Sequence, residues 1–174
     1  GGGYGDPLER NPETVAEDVA RDAVSLSSAA DIYGVVLSGS GEHDLAATHR
    51  RREKIRKARL DESTGLVTGD STITFLGSGV LEFGGVLNID FAADKISCGY
   101  CKRAHCRPGD NLLTHLREVN SSLSAAGPVR GEDYDRGRFH LRQLICPECG
   151  GMVDVEVAFE GAPRSLTKIG IEGT

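Results

Sequence analysis

Two cysteine pairs with the same spacing constrain this chain most: Cys98-Gly-Tyr-Cys101 and Cys146-Pro-Glu-Cys149. Each pair puts two thiolates on one tight turn, so that each turn can occupy two corners of a tetrahedral metal ion. Gly150-Gly151 after the second pair leaves room for the chain to curl around a metal. The spacing predicts a closed, structural zinc site, without an open position for water or substrate and therefore without a catalytic residue. Its expected ligands are Cys98, Cys101, Cys146 and Cys149.

Three other uses of these cysteines have less support. A disulfide framework suits a small secreted domain with an even number of cysteines, but this chain has five cysteines and no visible secretory signal. A redox C-x-x-C pair needs a strand-to-helix setting, and two copies argue against it. An iron–sulfur cluster uses the same ligands, and the spacing by itself leaves that alternative open.

Cys106 and the histidines near it have ordinary expected roles. Cys106 follows His105 and lies five residues after Cys101. It can replace one ligand of the first pair, but we expect the usual behaviour of a free cysteine, a small buried hydrophobe. His105, His115 and His140 are expected to be ordinary surface or core histidines.

Length and composition limit the size of the core. The 174 residues suffice for one domain or two small ones, with 39% hydrophobic residues, 5% aromatic residues and no Trp. A metal would therefore stabilise an undersized core. The formal charge is −6, and no run of about 18 apolar residues predicts a membrane span. We expect a cytoplasmic protein, and the start at Gly1 without Met indicates a processed product or a fragment.

Helix signals dominate the first 60 residues. Asn11-Pro12-Glu13 predicts a helix start, with a capping Asn and Pro at the first helical position. Ser25 or Ser27 predicts a second start, and Gly34 a stop. Residues 43–60 form a third helix candidate.

Strand signals follow. Residues 72–76, 80–83 and 86–91 are predicted strands, residues 111–123 hold a short helix or turn, and residues 124–137 form a loop. Strands 139–145 and 152–159 flank the second cysteine turn, and the second is predicted to be half-buried with Val153, Val155, Val157 and Phe159 on one face. The fold class is α+β: a helical segment (1–60), a linker (61–72) and a small β-rich zinc-ribbon domain (73–174).

The third helix candidate carries a dense basic run, from Arg50 to Arg59. Such a run can bind nucleic acid, and a zinc-ribbon nucleic-acid-binding protein is therefore one alternative function. We favour a solvated helix whose other face, with Leu45, Thr48, Arg52 and Ile55, contacts a partner. The acidic chain has no stacking aromatics near the run, so nucleic acid is not an expected partner.

Motifs of catalysis are missing from the sequence. Gly77-Ser78-Gly79 is not followed by the GK[ST] of a P-loop, and no G-x-S-x-G elbow is present. Asp6 and Glu9 can line a site only together with another chain. We therefore expect a component of an enzyme complex rather than a catalyst by itself.

Two parts of the chain resemble known subunits. Residues 1–37 contain a glycine run, Tyr4-Gly5-Asp6-Pro7, the phrase from Val15 to Val24 and Asp31-Ile32-Tyr33-Gly34-Val35-Val36. In these features they resemble the C-terminal end of hydantoinase B/oxoprolinase-family subunits, which include subunits of acetone and acetophenone carboxylases. The second part, residues 141–163 with the CPxCG turn and an alternating acidic strand, resembles the end of the small γ subunit of these carboxylases. Residues 98–111 suit the first cysteine turn of that subunit.

The resemblance implies a fusion of two parts: the tail of a large subunit, and a γ-like zinc domain that covers about residues 70–174. It implies a structural or assembly subunit of an ATP-dependent ketone carboxylase, which joins bicarbonate and a ketone to a β-keto acid. ATP and a divalent cation would bind to the partners, which are large hydantoinase A/B-like catalytic subunits. An ATP-dependent hydantoinase or oxoprolinase, which opens cyclic amides, is the other implied function. The chain lacks nearly all of the large subunit, so most of the active site is expected elsewhere.

Overall fold

The computed structural model describes residues 5–66, 78–123 and 138–162. Within these ranges, a helical N-terminal segment is followed by antiparallel strands, as the α+β prediction requires. The helices are α1 (Pro12–Ala20), α2 (Leu26–Asp31) and α3 (Leu45–Glu62). The strands are β1 (Val80–Phe83), β2 (Leu87–Asp90), β3 (Lys95–Cys98), β4 (Ala104–Cys106), β5 (Arg117–Ser122), β6 (Phe139–Ile145) and β7 (Met152–Phe159). Short 3₁₀ turns cover Pro7–Glu9 and Leu112–His115.

Side-chain caps begin all three helices. The Asn11 side chain accepts the Glu13 N–H at 2.8 Å, and Ser25 accepts the Ser28 N–H at 3.0 Å, so both predicted caps are confirmed. Asp44 caps α3 by accepting the Ala47 N–H at 2.9 Å. The third helix therefore begins after Asp44 rather than at residue 43, and it continues to Glu62. The first two residues of the predicted linker thus belong to this helix.

The helical segment has a small core of its own. Val15, Ala29 and Val35 are buried together, with Val19 and Tyr33 packed against them. The backbone turns away after α2 at Gly34, whose φ of +63° is accessible to glycine without strain.

The strands form two antiparallel sheets. One has the order β1-β2-β3-β4, and the other has the order β5-β6-β7. Ile89 and Ile96 face each other across β2 and β3 and are fully buried. The 3₁₀ turn before β5 and one residue of β6 complete the larger core, which contains Val86, Leu87, Ile89, Ile96, Leu112, Leu113, Leu116 and Leu144.

β7 alternates and is half-buried, as predicted, but of its four apolar residues on one face only Val153 packs against the larger core. Val155, Val157 and Phe159 are 47%, 62% and 47% exposed. The opposite face is covered because Arg142 on β6 lies there between two carboxylates, bonding Glu156 at 2.6 Å and approaching Glu118 at 3.8 Å. This buried ion cluster shares the inner face of the sheet with Leu144, which belongs to the larger core.

Several predictions fall beyond the part of the chain that the structure describes. They are the strand at 72–76, the loop at 124–137 and the polar tail from residue 163 onward. In the described residues, none of the helices combines the length and the apolar character that crossing a membrane requires.

Candidate metal centre

Each cysteine pair lies in the loop of a β-hairpin. The first pair begins at the end of β3 and precedes β4, and the second lies between β6 and β7. The two loops share one backbone conformation, because the carbonyl of the first cysteine accepts the N–H four residues later, from Lys102 in one loop and Gly150 in the other. Both of these residues have a positive φ, of 62° and 66°. The repeated spacing therefore produces the same turn twice.

The two loops bring all four sulfurs together. Cys98 Sγ lies 3.8 Å from Cys149 Sγ, and Cys101 Sγ lies 3.8 Å from Cys146 Sγ. All four sulfurs lie within 4.8 Å of one another. A zinc ion with Zn–S bonds of about 2.3 Å requires S···S distances of about 3.8 Å in a regular tetrahedron. These cysteines can hold one metal ion, and the separations are far beyond the roughly 2.05 Å of a disulfide bond.

Electrostatics at the cluster also fit a cation. Hydrogen bonds from the Cys146 and Cys149 thiols hold the pKa of Cys98 well below its ordinary range, whereas Cys146 and Cys98 hold the pKa of Cys149 well above its own. Without a cation, the negative charge therefore concentrates on Cys98, and the raised pKa values of Cys146 and Cys149 keep these two thiols protonated. A bound cation removes this competition and allows all four to be thiolates.

The glycines after the second pair are required by packing as well as by the turn. A Cβ on Gly150 would lie 2.5 Å from the Arg56 carbonyl oxygen on α3, and a Cβ on Gly151 would lie 2.4 Å from the Tyr100 ring. The Arg56 guanidinium stacks over the same ring, with its central carbon 5.7 Å from the centroid. The second loop is therefore pressed between α3 and the first cysteine loop.

Asp6 ties the N-terminal segment to the same loop. Its side chain is fully buried and pairs with Arg59 of α3 through both carboxylate oxygens, at 2.8 and 3.1 Å. It also accepts the N–H groups of Leu8 and Met152, at 3.1 and 3.0 Å. Arg59 in turn donates to the Gly150 carbonyl at 3.3 Å. Asp6 is thus a structural residue with internal partners, and Glu9 pairs with Arg56.

Cys106 and His105 lie beside the cluster. Cys106 is partly buried against the main core, as expected, and burial raises its pKa to about 11. His105 is buried, and it lies near enough to Cys98 to help lower the pKa of that thiol. In the sequence, only its closeness to Cys106 distinguished this histidine.

The basic run of α3 has an exposed side and an internal side. Arg50, Lys54 and Lys57 are exposed, as a solvated face requires. The other arginines of the run bond partners within the chain. Arg51 bonds Asp31 at 2.6 Å, and Arg52 donates to the carbonyls of Tyr33 and Arg10 at 3.1 and 2.6 Å. Thr48 is buried and accepts the Val36 N–H at 3.0 Å. The row that was expected to contact a partner therefore packs, from Thr48 onward, on the chain's own N-terminal segment.

Known proteins match only part of this chain. It is 54% identical over 52 residues to the beta subunit of a caprolactamase from Pseudomonas jessenii, and 42% identical over 67 residues to the alpha subunit of acetone carboxylase from Xanthobacter autotrophicus. It is 42% identical over 53 residues to the B subunit of a putative D-/L-hydantoinase from a Pseudomonas species. No protein-family model matches the chain.

These matches cover 30%, 36% and 30% of this chain but only 9% of each relative. All three relatives carry names that denote one subunit of an enzyme. The similarity therefore connects about a third of this chain with subunits of hydantoinase and carboxylase enzymes.

Proposed function

We propose that this chain is a structural and assembly subunit of a multi-subunit, ATP-dependent ketone carboxylase of the acetone/acetophenone type. Cys98, Cys101, Cys146 and Cys149 bind one structural zinc ion. Large hydantoinase A/B-like subunits, in the same cytoplasmic complex, bind ATP and a divalent cation and join bicarbonate to the ketone.

The sulfur geometry is the observation that carries this proposal. Four sulfurs at tetrahedral spacing occupy every coordination position of an ion, so the ion would stabilise the fold without meeting a substrate. The spacing also favours a single ion over an iron–sulfur cluster, because cysteines that bind different iron atoms of a cluster would not all lie within 4.8 Å of one another. An assembly role is consistent with a module whose four cysteines would all be occupied by the ion.

The Asp6–Arg59 pair supports the second half of the proposal. It fixes the segment that resembles a large-subunit tail directly against the second cysteine loop. Through this contact, the N-terminal segment can hold the metal module in a fixed position on the large subunit that the segment binds. The helical segment and the zinc-ribbon domain are then two functional parts of one chain, and their described residues meet at this contact.

Co-expression with candidate large subunits tests the function. We expect the chain to co-purify with them and the complex to incorporate labelled bicarbonate into acetone or acetophenone only when ATP is present. Cys149→Ser should reduce assembly and carboxylation together, whereas Cys106→Ser should leave both near wild type. Purification without any large subunit, under conditions that preserve the metal, would contradict the proposal.

Two of the three relatives favour a second candidate function, because their names denote caprolactamase and hydantoinase. In that case the complex would use ATP to open a cyclic amide, with the same structural role for this chain. The same purified complex distinguishes the candidates: ATP-dependent hydrolysis of caprolactam or hydantoin, without bicarbonate incorporation, would select the amidohydrolase.

A further inference from the structure

A basic cavity lies between the two cysteine loops and the start of β5. Its volume is about 410 Å³. Four of its lining side chains are Arg or His, and Leu66 and Pro147 form apolar parts of the wall. The four are Arg103, His105, His115 and Arg117. Among the described residues that line it, none is an Asp or a Glu.

Two buried groups in this cavity have unused hydrogen-bonding capacity. His105 is 8% exposed and lies close enough to Cys98 to lower the pKa of that thiol, but neither of its ring nitrogens reaches hydrogen-bond geometry with any group in the described structure. The Nε atom of Arg117 is likewise buried without a hydrogen-bond partner. Buried polar atoms are normally paired, so two such residues facing one cavity call for a ligand that accepts hydrogen bonds.

Charge and shape restrict the kind of ligand. Arginine is always protonated and presents several N–H donors in a planar fork that matches the oxygens of a carboxylate or a phosphate. Arg103 pairs with Glu148 through one terminal nitrogen, and both side chains are about half exposed, which leaves donors of Arg103 available to the cavity. The volume also exceeds that of a single inorganic ion, so that a small organic group fits beside the charged end.

We propose that this cavity binds a small oxyanion, the phosphate or carboxylate group of an organic molecule, with Arg117 and His105 as its buried donors and Arg103 at its rim. The proposal does not depend on which reaction the proposed complex performs. Arg103 follows the first cysteine pair and Pro147 lies inside the second. The cavity therefore exists only while both loops are held together.

Calorimetric titration of the full, metal-loaded chain tests the site, with methyl phosphate, inorganic phosphate and acetate as probes at constant ionic strength. We expect saturable binding of one equivalent of a phosphate probe, of acetate, or of both, and the preferred probe identifies the ligand group. Arg117→Gln should weaken that binding at least tenfold, because a buried charged donor is lost. Arg107→Gln is the matched control, since Arg107 is 75% exposed and pairs with Asp94 outside the cavity. It should change the affinity less than twofold.

Metal content and thermal unfolding establish that the variants fold. If Arg117→Gln does not fold, Arg103→Gln at the exposed rim provides the same test with an expected loss of about threefold or more. The proposal is wrong if no probe binds saturably. It is equally wrong if the cavity variant and Arg107→Gln weaken binding to the same extent, since that result indicates general charge attraction.

Discussion

Asp6 and Arg59 lie 53 residues apart in the sequence and form an ion pair with two hydrogen bonds in the interior of the protein. The Asp6 side chain is fully buried and that of Arg59 is 12% exposed. Two backbone N–H groups complete the carboxylate's hydrogen bonds, one of them from Met152 at the start of β7. This pair is the polar joint between the helical segment and the cysteine loops.

Removing one member of this joint should destabilise the whole chain. Asp6→Ala leaves the Arg59 charge and the Met152 N–H without their acceptor, and breaking a buried pair in this way costs about 3–5 kcal/mol. Urea unfolding followed by circular dichroism measures the loss. Glu17→Ala is the control, because Glu17 pairs with Arg21 at the surface and such a change costs about 0.5 kcal/mol or less. Equal losses in the two variants would show that the Asp6 joint adds no stability.

Metal stoichiometry should depend on Cys149 and not on Cys106. We expect one zinc per chain in the wild type and in Cys106→Ser, and a large loss of zinc in Cys149→Ser. Structural zinc contributes on the order of 10 kcal/mol to the folding of small domains, so Cys149→Ser should also abolish the thermal transition of the strand-rich part. Elemental analysis and calorimetry measure the two effects. A wild-type chain purified without zinc or iron would refute the prediction.

Gly150 should tolerate alanine less well than Gly161 does. Both glycines have a positive φ, of 66° and 74°, so the backbone strain of an added Cβ is similar. Only Gly150 would place that Cβ against α3, 2.5 Å from the Arg56 oxygen. Overpacking of this kind adds about 1–3 kcal/mol to the cost of the substitution. The difference in free energy of unfolding between Gly150→Ala and Gly161→Ala measures the contact, and a difference near zero would contradict it.

Cys106 should react slowly with iodoacetamide in the folded protein. Burial raises its pKa from 9.0 to about 11, so that its thiolate fraction at pH 8 is roughly a hundredth of that of an ordinary cysteine. Mass spectrometry of the metal-loaded chain follows its alkylation, which should accelerate as the pH approaches 11. Cys106 loses its proton at a lower pH in the unfolded chain than in the folded protein. The free energy of unfolding should therefore fall as the pH rises from 9 to 11. Cys106→Ala should remove that part of the pH dependence.

The exposed apolar face of β7 should contribute to assembly. Val157 is 62% exposed and lies on the same face as Val155 and Phe159. If large subunits cover this face, Val157→Asp should weaken co-purification at least tenfold, because it places a charge in a desolvated contact. Its thermal stability should change little, since the side chain makes few internal contacts at this exposure. Glu160→Gln, on the turn that follows β7, is the control, and unaltered binding by Val157→Asp would exclude this face.

The sequence was most informative where local chemistry determines structure. Asn11 and Ser25 act as helix caps because their side-chain oxygens reach N–H groups only two or three residues away. The cysteine pairs were equally readable, since their spacing matches a turn that accommodates two ligands. The prediction that all four sulfurs converge rested on the tetrahedral coordination of a metal ion and not on any local secondary-structure propensity.

Ion pairs between residues that are far apart in the chain could not be predicted from the sequence. The sequence identified Asp6 as a carboxylate but held no sign that Arg59 would bury it, because no local spacing links residues so far apart. The exposure of Val155, Val157 and Phe159 has a related cause: the rule that apolar residues face inward does not anticipate Arg142 between two glutamates on the opposite face of the sheet. The internal partners of Arg51 and Arg52 on α3 are equally hard to predict, because they come from distant parts of the chain.

A metal ion bound by the four sulfurs would also act on the chain as a removable cross-link. Cys101 and Cys146 are 45 residues apart, and an ion that joins them closes the intervening stretch into a loop. The entropy of closing a flexible loop grows only slowly with its length, by about 0.6 kcal/mol for each doubling. Insertions between β5 and β6 should therefore be tolerated for as long as the ion stays bound. A chelator would release this constraint without cutting or reducing any covalent bond.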